Sequence, residues 1–404
     1  FNISMQKYTV FNINKLKSNN MKFINLNMRY ILFLVFFIGH LVNAQNLYYP
    51  DKVWEEKSPK FFNYDDKKIL AAIDFAINNE NKVDRNLTNA IINAFGHEPG
   101  FEIKGPTKSR KDPNGIILKN GYIIGKWGNI DRVDMTFSVT KSYLSTVAGL
   151  AYQKGLINLN HKLSDYIKDG KFSSTHNKDI TWHHLLNQSS QWKGELFGTF
   201  DWADRPPKNL SIDELKNQII PRPGKAYKYN DVRVNLLSFS LLKVFEEALP
   251  KVLKDNLMDP IGASETWEWN GYEKSKITIN GSIIKSVSGG GHFGGGMFIS
   301  SRDQARFGLL FSRNGIWNNK VLLDPEWIEL VQKPSENNES YGYMWWLNKG
   351  NRKWEGLSEN IYYGAGFGGN YVVIIPDEQI VIVTRWISSS KIGEFVKKVI
   401  NAKY

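Results

Sequence analysis

The stretch FSVTKSYLSTVAGLAYQKG, Phe137 to Gly155, holds a serine, a lysine three residues later, and then an apolar run closed by glycine. In a helix, residues three apart share a face, so the Lys141 ammonium sits beside the Ser138 hydroxyl. A serine that opens such a helix also meets unpaired N–H groups and the positive dipole end, which favour a developing oxyanion. These are the requirements of a nucleophile. The spacing does not single out Ser138 by itself, because serine followed three later by lysine recurs at Ser4, Ser190, Ser240, Ser282 and Ser388, and serine is a common helix cap.

Upstream, Asp65 and Asp66 precede KKILAAIDFAINNE, whose apolar residues recur at helical spacing. GIILKNGYIIGKW follows, two β-rich runs about Asn120-Gly121, which predicts a hairpin. Downstream, helical periodicity broken by polar loops predominates to about Lys285. SGGGHFGGGMFISSRDQARFGLLFSRNG then reads as a glycine-rich loop, a short strand and a helix begun by Ser300 or Ser301. IYYGAGFGGNYVVIIP and QIVIVTRWI are strands, and a last helix starts at about Ser389. Hairpins rather than βαβ alternation predict an α+β fold, an antiparallel sheet built from both chain ends and flanked by helices, with an inserted mostly helical lobe. The expected division is one domain over 45–404, with a sheet lobe at about 60–137 plus 286–404 and a helical lobe at about 138–285.

The 404 residues are 42% hydrophobic and 23% charged, a globular composition with no sign of disorder. From Met21, MKFINLNMRYILFLVFFIGHLVNAQ has basic residues, a short apolar run and a small residue at Ala44, the pattern of a secretory signal peptide. Residues 1–44 are expected to be a leader, with Met21 or Met28 the better start. The apolar run falls short of the roughly 20 residues of a spanning helix, so the protein is expected to be exported, periplasmic or secreted, without a stable membrane anchor. The leader carries five Lys or Arg and no acid, so without it the net charge falls from +12 to +7. No basic cluster interleaved with aromatics points to nucleic acid. The absence of cysteine removes disulfides and a thiol nucleophile. The seven histidines show none of the usual metal spacings, and neither metal nor cofactor is expected.

Two further elements join the first. In PGKAYKYNDVRVNLL, Tyr229-Asn230-Asp231 precede a helical run for which Asp231 is also a candidate cap, and YYGAGFGGN opens a strand with glycines. Ser138-Val139-Thr140-Lys141, Tyr229-Asn230-Asp231 and Gly364-Ala365-Gly366 together resemble the three motifs of the penicillin-recognising serine hydrolases. The similarity is to the branch of class C β-lactamases, family VIII esterases, D-alanyl-D-alanine carboxypeptidases and 6-aminohexanoate-dimer hydrolases. TFSVTKS, DITWHHLLNQSSQW, PGKAYKYND, GGGMFISSRDQARFG and GAGFGGNYVVIIP follow in the family's order over essentially the whole chain after the leader.

The resemblance implies a β-lactamase/transpeptidase-like fold and an acyl-enzyme on Ser138. It further implies Lys141 within reach of the serine, Tyr229 as proton relay, and an oxyanion hole of the Ser138 and Phe367 backbone N–H groups. Two departures stand out. The family's third motif opens with lysine or histidine where this chain has Gly364, and its second ends in asparagine where this chain has Asp231. A carboxylate beside Lys141 favours the ammonium, which makes Tyr229 the better base and Asp231 a supporting residue. Trp192, His292, Gly364 and Gly366 are candidate substrate contacts, and the pair Trp345-Trp346 serves either substrate contact or packing. The expected partner is a small ester, amide or peptide-like molecule. A β-lactamase or carboxypeptidase, or a catalytically inactive envelope-binding protein, remains the alternative.

Overall fold

The computed structural model describes residues 47–349 and 354–404; the leader and signal peptide expected over 1–44 lie outside them. Among the described residues no helix is long and apolar enough to cross a membrane.

The Asp65 side chain accepts from the Lys67 and Lys68 N–H groups and starts α1, Asp66–Asn78. The Asn86 side chain does the same for α2, Leu87–Phe95. Strands β1, Asn114–Lys119, and β2, Tyr122–Trp127, are joined by Asn120 and Gly121, both at positive φ (52° and 89°), as a two-residue hairpin turn demands. Strand β3, Val133–Met135, leads to α3, Thr140–Gln153, and then α4, Asp231–Phe245. The long hairpin of β4, Glu268–Ile279, and β5, Ser282–Val287, precedes β6, Gly296–Ser300, and α5, Ser301–Ser312, which Ser300 caps. The chain ends with β7, Trp346–Leu347, β8, Tyr362–Gly366, β9, Asn370–Ile375, β10, Ile380–Arg385, and α6, Ile392–Ile400.

The main sheet is antiparallel in the order β7-β8-β9-β10-β1-β2. Strands from both chain ends meet at β10 and β1, Asn114 opposite Arg385 through Lys119 opposite Ile380. Their runs of Ile and Val are buried on both faces, under α1 and α6 on one side and α5 on the other. This is the predicted α+β architecture, an antiparallel sheet built from both chain ends and flanked by helices. One difference concerns the middle of the chain: its last part is not helix but β4 and β5, which with β3 and β6 form a second four-stranded sheet. Helix α3 is buried on every side from Thr140 to Ala151, enclosing the polar Lys141, Ser142, Ser145 and Thr146 together with its apolar residues. It packs against α4 and lies beside β8, so the Ser138 turn at its start sits where sheet and helices meet.

Candidate active site

Ser138 belongs to a single 3₁₀ turn, Phe137–Val139, that runs into α3 without any side-chain cap. It is therefore not the helix N-cap that the sequence suggests. The turn is forced into shape one residue earlier: Phe137 is buried at φ +50°, a conformation that costs a bulky residue about 1–3 kcal/mol and persists only where the surroundings impose it. Here Thr140 Oγ1 donates to the Phe137 carbonyl (2.5 Å) and accepts from the Met297 N–H (2.9 Å), and the Phe137 ring packs edge-on against Phe367 at 5.2 Å. Ser138 is left half-buried, and Lys141 Nζ donates to its Oγ at 3.0 Å.

The second wall comes from α4. Asn230, not Asp231, is the cap: its Oδ1 accepts from the Arg233 N–H at 3.0 Å. Gln188 Oε1 accepts from the Asn230 N–H (2.7 Å) and Gln191 Nε2 donates to the Ala226 carbonyl (2.8 Å), so the NQSSQW segment pins the loop that carries Tyr229. With the cap supplied by its neighbour, the buried Asp231 carboxylate is free to form an ion pair with Lys141 and to accept from Arg205 Nη2 at 3.3 Å. Burial is the largest influence on the Lys141 pKa and lowers it, but the Asp231 charge, the Tyr229 oxygen and the hydrogen bond to Asp231 together outweigh it and the net direction is up. Burial raises Asp231, and Lys141 and Arg205 pull it well below the usual carboxylate range. The ammonium form of Lys141 is thereby favoured. Tyr229 lies between the cations, its ring centroid 4.6 Å from Lys141 Nζ and 5.1 Å from the Arg205 guanidinium, and it stacks on Trp346.

Arg205 was not legible as a site residue. It lies in an irregular loop at φ +48° and is held from behind: Nη1 donates to Asp204 (2.6 Å), Nη2 to Asp231 and to His292 Nδ1 (2.8 Å), and its own N–H to Glu98 (3.2 Å). Since the guanidinium donates to Nδ1, the His292 Nε2–H is the group that meets Glu98, at 2.7 Å. Glu98, Asp204 and His292 have ligand atoms within 4.8 Å of one another, yet these atoms are occupied by the network around Arg205. Burial lowers the Arg205 pKa, and Asp204 and Asp231 more than reverse that.

Strand β8 forms the third wall. A Cβ on Gly364 would stand 2.9 Å from Ser142 Oγ and 3.2 Å from Val139 Cγ1, and one on Gly366 would stand 2.2 Å from the Thr136 carbonyl. Both glycines let the strand lie directly on the nucleophile turn. A cavity of about 310 Å³ opens between the walls, lined by Ser138, Arg205, Tyr229, Trp346, Gly366 and Phe367 among others. Gly364 faces α3 instead. His292 supports Arg205 from outside the cavity. Trp192 is buried apart from it, its Nε1 donating to the Lys171 carbonyl at 2.9 Å, and Trp345 is core.

Residues 131–390, more than half of the chain, match the family model described as Beta-lactamase. Among solved structures, a family VIII carboxylesterase is 14% identical, covering 87% of this chain and all of that one, with TM-score 0.55. A putative beta-lactamase from Bacteroides dorei is 14% identical (79% and 100% covered, TM-score 0.53), and a putative 6-aminohexanoate-dimer hydrolase from Bacillus anthracis is 16% identical (74% and 78%, TM-score 0.50). An uncharacterised protein of Alkalihalophilus pseudofirmus is 22% identical over 264 residues, 61% of this chain and 71% of that one.

Proposed function

The chain belongs to the beta-lactamase family, a family of hydrolases, and we propose that it is an exported serine hydrolase that cleaves a neutral ester or amide through an acyl-enzyme on Ser138. The observation that supports this most is the 3.0 Å contact from Lys141 Nζ to Ser138 Oγ at the floor of the cavity. In this reading Ser138 Oγ attacks the carbonyl carbon while its proton passes to Tyr229. The ammonium of Lys141 and the guanidinium of Arg205 flank Tyr229, so the phenolate that accepts this proton carries its negative charge beside two cations. The Ser138 and Phe367 N–H groups receive the oxyanion, Tyr229 returns the proton to the leaving group, and water repeats the sequence to release the acid.

Preference for a neutral substrate follows from charge balance. Lys141 and Arg205 are the cations next to Ser138 and Tyr229, and the carboxylates of Asp231 and Asp204 already contact them. Among the described residues that line the cavity, an anionic β-lactam would find no uncompensated positive charge, and about 1.4 kcal/mol lost is tenfold in rate. The test has two parts. A fluorophosphonate probe should label the wild type at Ser138, and the absence of labelling would favour an inactive binding protein. The kcat/KM for a neutral short-chain ester should exceed that for a chromogenic cephalosporin; the opposite order would make the protein a β-lactamase.

A further inference from the structure

Arg205 is held more elaborately than a counter-ion for Asp231 requires. Three buried side chains, Glu98, Asp204 and His292, orient it, and yet the Arg205 side chain is 29% exposed and lines the cavity beside Ser138. A charged group fixed by supporting hydrogen bonds at a cavity wall is preorganised to meet a ligand. Its donors show which kind. Of its five N–H groups, Nη2 spends one on Asp231 and one on His292, and Nη1 spends one on Asp204. A guanidinium grips a carboxylate either side-on through Nε and Nη2 or end-on through Nη1 and Nη2. Both grips need an Nη2 hydrogen, and both are taken. What remains is one hydrogen on Nε and one on Nη1, on separate edges, each suited to a single acceptor atom.

We propose that Arg205 is a specificity-determining residue that donates one hydrogen bond to a neutral carbonyl oxygen beside the reacting bond, so that the substrates are esters or amides carrying a second carbonyl, as acylated amino compounds do. Glu98, Asp204 and His292 act through Arg205 as positioning residues. The inference rests on Ser138 as nucleophile.

Three p-nitrophenyl esters whose acyl groups match in heavy-atom length test it: pentanoate, 4-oxopentanoate, which turns one methylene into a carbonyl, and hemisuccinate, which puts a carboxylate at that end. Wild type should favour the oxo ester over pentanoate by roughly tenfold or more in kcat/KM, as a hydrogen bond from a charged donor gives, and should favour it over hemisuccinate as well. In Arg205→Met the oxo preference should collapse. Should that variant not fold, Arg205→Lys keeps the charge that compensates Asp204 and Asp231 but loses the Nε and Nη1 donors, and its preference should also fall. Equal rates for oxo ester and pentanoate in wild type, a preference kept in the variants, or a preference for hemisuccinate would each overturn the role of Arg205 alone. A wild type inert to all three would overturn the reading of Ser138 and the inference with it.

Discussion

Replacing Asp231 by asparagine tests the electrostatics from which the roles of Lys141 and Tyr229 follow. The carboxylate is buried, in contact with Lys141 and 3.3 Å from Arg205. Asparagine keeps its shape and removes its charge, leaving two cations without their shared counter-ion. Breaking a buried pair in this way costs about 3–5 kcal/mol, less whatever is recovered when Lys141 releases its proton. The direction of that release is set: burial and Arg205 both lower the Lys141 pKa, and Asp231 is the main group raising it. In wild type the raised lysine contributes stability below its ordinary pKa, lost as pH climbs through the folded value. The depressed carboxylate contributes above its ordinary range, lost as pH falls through the folded value. The pair therefore stabilises the protein across the whole neutral window, and Asp231→Asn should lose that contribution throughout it. Denaturant titration at pH 7 should show a loss of this size. The alkaline limb of kcat/KM for a neutral ester should move to lower pH as the ammonium beside Tyr229 disappears earlier. An unchanged midpoint together with an unchanged pH profile would refute the reasoning.

Ser138→Ala should abolish turnover and probe labelling while costing only about 1 kcal/mol for the lost hydrogen bond, because Ser138 caps nothing; turnover at the wild-type rate would remove it as nucleophile. Tyr229→Phe and Lys141→Ala should each slow acylation by roughly 10²–10⁴, measured as pre-steady-state release of p-nitrophenol. Only the lysine change should also lower the unfolding midpoint, since it strips a buried carboxylate of its nearest partner. Gly364→Ala should cost about 1–3 kcal/mol in the same unfolding assay through contact with Ser142 and Val139.

The sheet was legible because its hairpin and its edge-to-edge strands carry local signals: Asn120-Gly121 for the turn, and unbroken β-branched runs for strands buried on both faces. The same signal stood at Asn280-Gly281, both at positive φ, yet the β4–β5 hairpin around it was obscured by the charged, half-exposed pattern of β4 and by the register shift between Gly271 and Lys276. Spacing in α3 put Lys141 beside Ser138, since three residues along a helix is a local relation. What the sequence concealed is what depends on distant segments. Which of Asn230 and Asp231 caps α4 is decided by Gln188 and Asp201, and Arg205 is one basic residue among 52, given its place only by Glu98, Asp204 and His292.

The two departures from the family's motifs both bear on where positive charge stands in the cavity. Gly364 cannot be read as a lysine that was lost, because its missing Cβ points into α3 at 2.9 Å from Ser142 Oγ, where no longer side chain fits while β8 lies on the nucleophile turn. The positive charge reaches the cavity from the opposite wall instead, on Arg205. An arginine there, next to the Lys141 ammonium, needs a buried negative charge between the two, and an asparagine at the end of the second motif has none to offer. Asp231 supplies it, contacting both cations at once. The aspartate on α4 and the arginine in the loop before it therefore depend on each other, and replacing Asp231 by the asparagine usual in the family leaves the Lys141 and Arg205 cations without their shared counter-ion.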